Sequence, residues 1–184
     1  GTGALLLRQL ASGSLISLGP IGQGQFQRDL VGGRYDVIYR GPSDANQPDD
    51  PAPRGGGVIY TSVDLSQGGV LNVDLPSVAL GGTIRVGGAM VPGRAGLANG
   101  IISLQDSQGA RSYLASTADL MYSRRVVPGR YTMIYGIAAG TPVPGLPQNQ
   151  QLTLRSDIDL SAATGTLPVE VPTARLSGRL TLGG

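Results

Sequence analysis

Short apolar runs alternate with polar positions along most of this chain, and turn residues separate them. "GGTIRVGGAMV" (81–91) sets Ile84 and Val86 against polar or small neighbours and stops at Gly87-Gly88. "GIISLQDS" (100–107) runs into a Gln-Asp-Ser-Gln-Gly turn, and "ARSYLAST" (110–117) follows. "ADLMYSRRVV" (118–127) sets Leu120 and Tyr122 against Met121 and Ser123. After Pro128-Gly129 come "RYTMIYGIAA" (130–139), the Pro-rich "GTPVPGLPQNQ" (140–150), "QLTLRSDIDLS" (151–161) and "GTLPVEVPTARLSGRLTLGG" (165–184). Period-two alternation between turn signals predicts strands. No stretch keeps helical spacing with caps over three turns.

The pattern is written twice. "GGRYDVIY" (32–39) and "PGRYTMIY" (128–135) place Tyr35 and Tyr131 at a separation of 96 residues. Gly13 and Gly109, Leu18 and Leu114, Pro76 and Pro172, and Gly82 and Gly178 keep that separation. "VDLS" (63–66) matches "IDLS" (158–161) at 95, so one residue is lost and regained in flanking loops. "LGGTIRVGG" (80–88) matches "LSGRLTLGG" (176–184), and no counterpart precedes Leu5. The expected organisation is a first unit over 1–79 lacking its opening strand, a second over 80–175, and an extra opening strand over 176–184.

About seven strands in about 96 residues suit an immunoglobulin-like or transthyretin-like sandwich. The fold class expected is all-β, with tandem sandwich units at a period of about 96 residues. Proline cannot donate to a ladder, so Pro76 and Pro172 belong at an edge or strand switch. "VDLPSVALGGTIRV" (73–86) reads as two strands joined at Pro76, the second crossing into the next unit almost without linker.

The motifs "GGTIRVGGAMVP", "GIISLQDSQG" and "VVPGRYTMIY" resemble carboxypeptidase-regulatory-like and prealbumin-like sandwich domains over about 60 residues of each unit. The chain departs from that pattern in its weaker turn before Pro-Gly and its extra strands after the Pro-rich loop. The resemblance implies accessory modules (stalks, spacers, adhesin repeats) and no active site. Several such domains carry a Lys–Asn isopeptide bond. This chain has no Lys and cannot form one, so its stability rests on core burial, at roughly 25 cal/mol per Å², and on contacts between neighbouring units.

Composition narrows the chemistry. All 14 basic residues are Arg, and Glu170 is the single Glu among 12 acids. With abundant Gly, Ala and Pro, this points to a GC-rich bacterial genome. A net charge of +2, without a clustered basic stripe, leaves no electrostatic footprint for nucleic acid. Cys and His are absent, which removes disulfides, thiol nucleophiles, imidazole bases and zinc sites built on those residues. No apolar run reaches the roughly 20 residues of a membrane helix. The start, "GTGALLLRQL", reads as the middle of something longer.

Gly33, Arg34, Tyr35, Tyr39 and their counterparts Gly129, Arg130, Tyr131, Tyr135 define the repeat, with Pro76 and Pro172. Gly129 is expected to supply backbone freedom for the turn. The tyrosines are expected in or beside the core, the alternative being a sugar-stacking face. Asp157 and Asp159, two apart in a strand, would share a face able to hold calcium. Ser62 replaces Asp157 in the other unit, so solvated acids are the expectation. "SDANQPDDP" (43–51) reads as a solvated loop, and Asp36 and Asp74 as lone acids without a visible partner. No catalytic, cofactor or metal residues are assigned, and no enzyme activity is expected.

The function expected is a structural repeat segment of a bacterial extracellular or cell-surface fibre, stalk or adhesin. Its expected partners are adjacent copies or repeats of the same protein, with a glycan or other surface ligand left open. Arg175, Leu176, Gly178, Leu180 and Leu182 are the candidate strand donors, able to complete another molecule's first sandwich head to tail. The alternative is a carbohydrate-binding or spacer module of a secreted enzyme.

Overall fold

The computed structural model describes residues 3–42, 51–90, 99–137, 143–162, 165–179 and 181. Twelve strands are found among them. They are β1 (Ala4–Gln9), β2 (Leu15–Pro20), β3 (Arg34–Arg40), β4 (Gly56–Asp64), β5 (Val78–Val86), β6 (Ile101–Gln105), β7 (Arg111–Ser116), β8 (Met121–Val126), β9 (Arg130–Gly136), β10 (Leu152–Asp159), β11 (Gly165–Thr166) and β12 (Val169–Val171). The only helical elements among the described residues are two 3-10 turns, Ile21–Gln23 and Thr117–Asp119. The chain is all-β, as the alternation predicts.

Two antiparallel sheets are built alike. One has the order β2-β1-β3-β4 and the other β7-β6-β9-β10. Tyr39 pairs with Leu5 as Tyr135 pairs with Ile102, and Tyr35 pairs with Val63 as Tyr131 pairs with Ile158. Register shifts fall after Leu5 in the β1–β2 pair and after Ile102 in the β6–β7 pair. Leu5 and Ile102 stand 97 residues apart, so the first hairpin holds a one-residue slip that the repeat pattern does not show. Gln9 and Gln105 match at the common separation even within that first strand, so residue identity alone does not place the slip.

In the second half, β5 lies at the centre of another sheet. β8 runs antiparallel to it on one side, and β11 and β12 run parallel on the other. Leu80, Ile84 and Val86 of β5 enter a core with Ile102, Leu104, Tyr135 and Val171. The two sheets close on that core as in a β-sandwich. Fully burying such a side chain contributes about 1.5–3 kcal/mol gross, so β5 binds both neighbouring strands and the facing sheet.

Three expectations need correction. Residues 73–75, read as a strand before Pro76, form none, and β5 begins only at Val78. Residues 172–179, read as the approach to and start of an extra strand, also form none. Neither segment pairs with a strand among the described residues, and a strand without a partner has no ladder. The run 118–127 is not one strand. Ser116 and Asp119 form a capping box over Thr117–Asp119, Leu120 takes a left-handed φ of 56°, and β8 starts at Met121. The Ser-x-x-Asp spacing was a visible signal for that turn.

Candidate functional site

A ligand platform would need the faces of the recurrent tyrosines. Tyr35, Tyr39, Tyr131 and Tyr135 are all 2% exposed or less. Tyr35 donates to the Val31 carbonyl at 2.5 Å, and Tyr131 donates to the Val127 carbonyl at 2.8 Å. Each hydroxyl thus ties the strand to the backbone four residues upstream, like the tyrosine corner of β-sandwiches. Tyr39 donates to Pro53 and Tyr135 to Pro147, at 2.7 and 2.8 Å, pinning the loop that follows. Burial pushes the Tyr131 and Tyr122 hydroxyls up to about 12, so neither serves as a base near neutrality. The sugar-stacking alternative loses its platform, because these rings are in the core.

The Gly-Arg-Tyr motif is therefore explained by packing. Gly129 is not among the glycines with positive φ, which corrects the expectation of backbone freedom. A Cβ there would sit 3.4 Å from the Tyr131 ring, an ordinary contact distance. Its carbonyl accepts from Leu160 N at 2.8 Å, as the Gly33 carbonyl accepts from Leu65 N at 2.8 Å. Arg130 lies at the surface, 3.5 Å from Asp159, and Arg34 donates to Ser62 Oγ at 3.1 Å.

The acids form no cation site among the described residues. Asp157 has φ 52° in an irregular stretch of β10, where Ser62 has φ 54° in β4. What the two positions share is backbone geometry, and the irregularity breaks the simple alternation that would align Asp157 with Asp159. Asp159 accepts from Ser161 N and Oγ, and Asp64 from Ser66 N and Oγ. Those bonds hold both carboxyls below the usual range. The reading of the loop 43–51 lies outside the described residues, which resume at Pro51.

Asp36 is not alone. Arg8 donates to it at 2.6 Å, and Ser62 N donates at 3.0 Å. The Arg8 hydrogen bond, then the Ser62 amide, then the Arg8 charge hold this carboxyl below its ordinary value, against the cost of burial. It is a structural ion pair, ionised at neutral pH. The Asp74 amide donates to the Tyr60 hydroxyl, which donates to the Asp74 carbonyl, and the two bonds fix the backbone there.

The first half departs from the second at one place. Its sheet carries Leu5, Leu7 and Leu18 on the inner face. No strand equivalent to β5 covers that face among the described residues. Segments 24–31 and 70–77 flank it without strand structure. They correspond in sequence to the β8 and β11–β12 regions of the second half. Between them run two hollows of about 480 and 660 Å³ that share Leu18, Phe26 and Leu71 in their walls and so form one groove. Arg28 holds one flank in place by donating to the Ser17 and Leu18 carbonyls at 3.0 and 3.1 Å. Phe26 and Val70 are left exposed at 36% and 89%.

The candidate donors divide. Arg175, Leu176 and Gly178 lie in an exposed segment, and Leu176 is 97% exposed. Leu180 and Leu182 lie outside the described residues. Pro172 directly follows β12, and Pro76 stands two residues before β5. The groove's lining residues Leu30, Leu71, Val73 and Leu75 match the second-half residues Val126, Leu167, Val169 and Val171 in sequence.

The halves meet at Arg54. It is fully buried, with its guanidinium 5.7 Å from the Tyr113 ring centre. Its amide donates to the Arg125 carbonyl at 2.7 Å, and its carbonyl accepts from Val127 N at 2.9 Å. Gly55 N donates to Ser112 Oγ at 2.6 Å. Val127 packs into the core of the first half. No sequence signal singled out Arg54, because one Arg in a Pro-Gly loop resembles any other.

Comparison with known protein families finds no matching family model, and comparison with curated proteins finds no match.

Proposed function

We propose that this chain is a non-catalytic structural segment of a bacterial extracellular fibre, stalk or adhesin, made of tandem prealbumin-like sandwich units with a period of about 96 residues. The carrying observation is the pair of sheets with one strand order and one set of residue pairings. What recurs between the halves is tyrosine corners, serine-bonded acids and bulges, and no set of reactive side chains recurs with them among the described residues. A repeated scaffold without a repeated site is the signature of a spacer.

The joint supports the same reading. Backbone hydrogen bonds on both sides of Arg54 and the burial of Val127 hold neighbouring units without a flexible linker. Val31 occupies the position of Val127 in the first half and is 74% exposed. In a tandem array that side chain covers the core of a neighbouring unit, as Val127 does. The Arg-only basic set and the resemblance to prealbumin-like modules support a bacterial surface setting.

Single-molecule stretching tests the reading. A load-bearing segment unfolds in discrete steps, and a unit of about 96 residues releases roughly 30 nm of chain at about 3.3 Å per residue. Gradual extension without steps, or saturable binding on a glycan panel, would sink it.

A further inference from the structure

We propose that the ladder of β5 with β11 and β12 is a mechanical clamp, which keeps the second half closed when the chain is pulled along its length. This rests on reading the chain as a load-bearing segment. It adds where the load is held and in which direction.

Chain order and strand direction set the loading. The first strand of the second half is β5, and the last among the described residues is β12. The two lie side by side and run parallel, with Leu80 beside Gly165 of β11 at one edge and Val86 beside Val171 at the other. Tension draws β5 back toward its Val78 end and draws β12 forward past Val171. The two pulls are opposite and lie along the strands, so one strand is made to slide against the other. The bonds of a parallel ladder are evenly spaced along it, and sliding loads them together. Strands pulled from one shared edge part bond by bond instead. A single backbone bond contributes little net stability, so peeling takes far less force.

The ladder is tied at its break and at its far edge. Pro168 has no amide to donate, and the ladder divides there into β11 and β12. Just before it, Leu167 N donates to the Gly81 carbonyl at 2.7 Å. Tyr122 of β8 pairs with Gly82, and its buried hydroxyl reaches over β5 to donate to the Leu167 carbonyl at 2.7 Å. A Cβ at Gly82 would collide with that carbonyl, so the glycine permits the close approach. At the far edge Gly87 N donates to the Val171 carbonyl at 2.9 Å, and Gly88 N donates to Glu170 Oε1 at 2.8 Å. The single Glu of the chain thus extends the ladder by one bond.

The joint feeds load to the same place. Arg54 hangs the first half on the end of β8, through the Arg125 carbonyl and the Val127 amide. That end lies beside Val78, because β8 is antiparallel to β5. A pull from the first half therefore draws β5 and β8 the same way, and β11–β12 oppose them both. Tyr122 carries part of the β8 load directly to Leu167.

The chain has no Cys, so pairs of introduced cysteines choose where the whole chain is held in single-molecule stretching. Pro76→Cys with Ala174→Cys pulls from opposite edges and shears the ladder. Pro76→Cys with Ala162→Cys pulls the same strands from one edge and peels them. All three positions are exposed. At one pulling speed the second half should open at several-fold higher force in the shearing variant, since forced opening reports the unfolding barrier. Tyr122→Phe should lower the shearing force and leave the peeling force unchanged. Equal forces in the two geometries overturn the clamp, while the spacer reading still stands on stepwise unfolding. A Tyr122→Phe loss that is alike in both overturns the brace. Gradual opening in both geometries overturns the clamp and the spacer reading together.

Discussion

The first half and the second half share a sheet and differ in what lies across from it. In the second half, segments 121–126 and 169–171 are strands, because β5 gives each a ladder partner. In the first half, 25–30 and 73–75 carry similar residues and are not strands. The second half has a paired middle strand, and no equivalent of it is found among the described residues of the first. β structure is a pairwise state: backbone donors and acceptors need a partner at the right distance before extended geometry becomes a ladder.

The largest effect should come from making the second half resemble the first. Ile84→Ala removes the centre of β5's apolar face and should cost about 2–5 kcal/mol. Hydrogen exchange should show β8 and β12 losing protection together while β1 and β3 keep theirs. Loss confined to β5, or spread evenly over both halves, would break the comparison.

Next is the joint. Arg54→Ala deletes a buried cation stacked on Tyr113, an interaction of about 2 kcal/mol when desolvated. The halves should then melt as two transitions in calorimetry, the first half lower. A single unsplit transition would show that the backbone bonds alone couple them.

Tyr35→Phe and Tyr131→Phe sharpen the comparison from the side the halves share. Each removes one hydroxyl bond to the carbonyl four residues upstream, worth about 1 kcal/mol. Chemical denaturation should show similar losses for the two. A wide gap would mean the corners are not equivalent.

The smallest effect is acidic. Asp64 and Asp159 are lowered by the same serine bonds, one in each half, so they cancel in the comparison. Asp36 belongs to the first half alone. Its folded pKa lies below the unfolded value of 3.8, so its contribution is complete above that value and is lost as pH falls through the lower folded value. The first half should weaken first below about pH 4, by about 1–2 kcal/mol for a charge-assisted bond. Asp36→Asn should flatten that difference in acid-titrated exchange.

Most of the sheets could be read from the chain, because period-two alternation and Gly-Pro punctuation are local. The tyrosine positions could be read for the same reason. The backbone of Gly129 could not, since a Pro-Gly pair fits turns with either sign of φ at the glycine and the fold takes the one that is not positive. Asp36 looked solitary because Arg8 meets it only across the β1–β3 pairing. The slip between Leu5 and Ile102 was hidden for a similar reason: two offsets fit a leucine-rich run, and only the Tyr39 and Tyr135 pairings choose one.

The sequence by itself determined the all-β class, the doubled pattern and the likeness of the tail to β5, because each is carried by residue order along a strand. The tertiary structure alone decided which of the matching segments become strands, where Arg54 locks the halves together, and that 24–31 and 70–77 border a groove without strand structure of their own. Those outcomes depend on neighbours distant in the chain, and a segment cannot encode whether its neighbour is present.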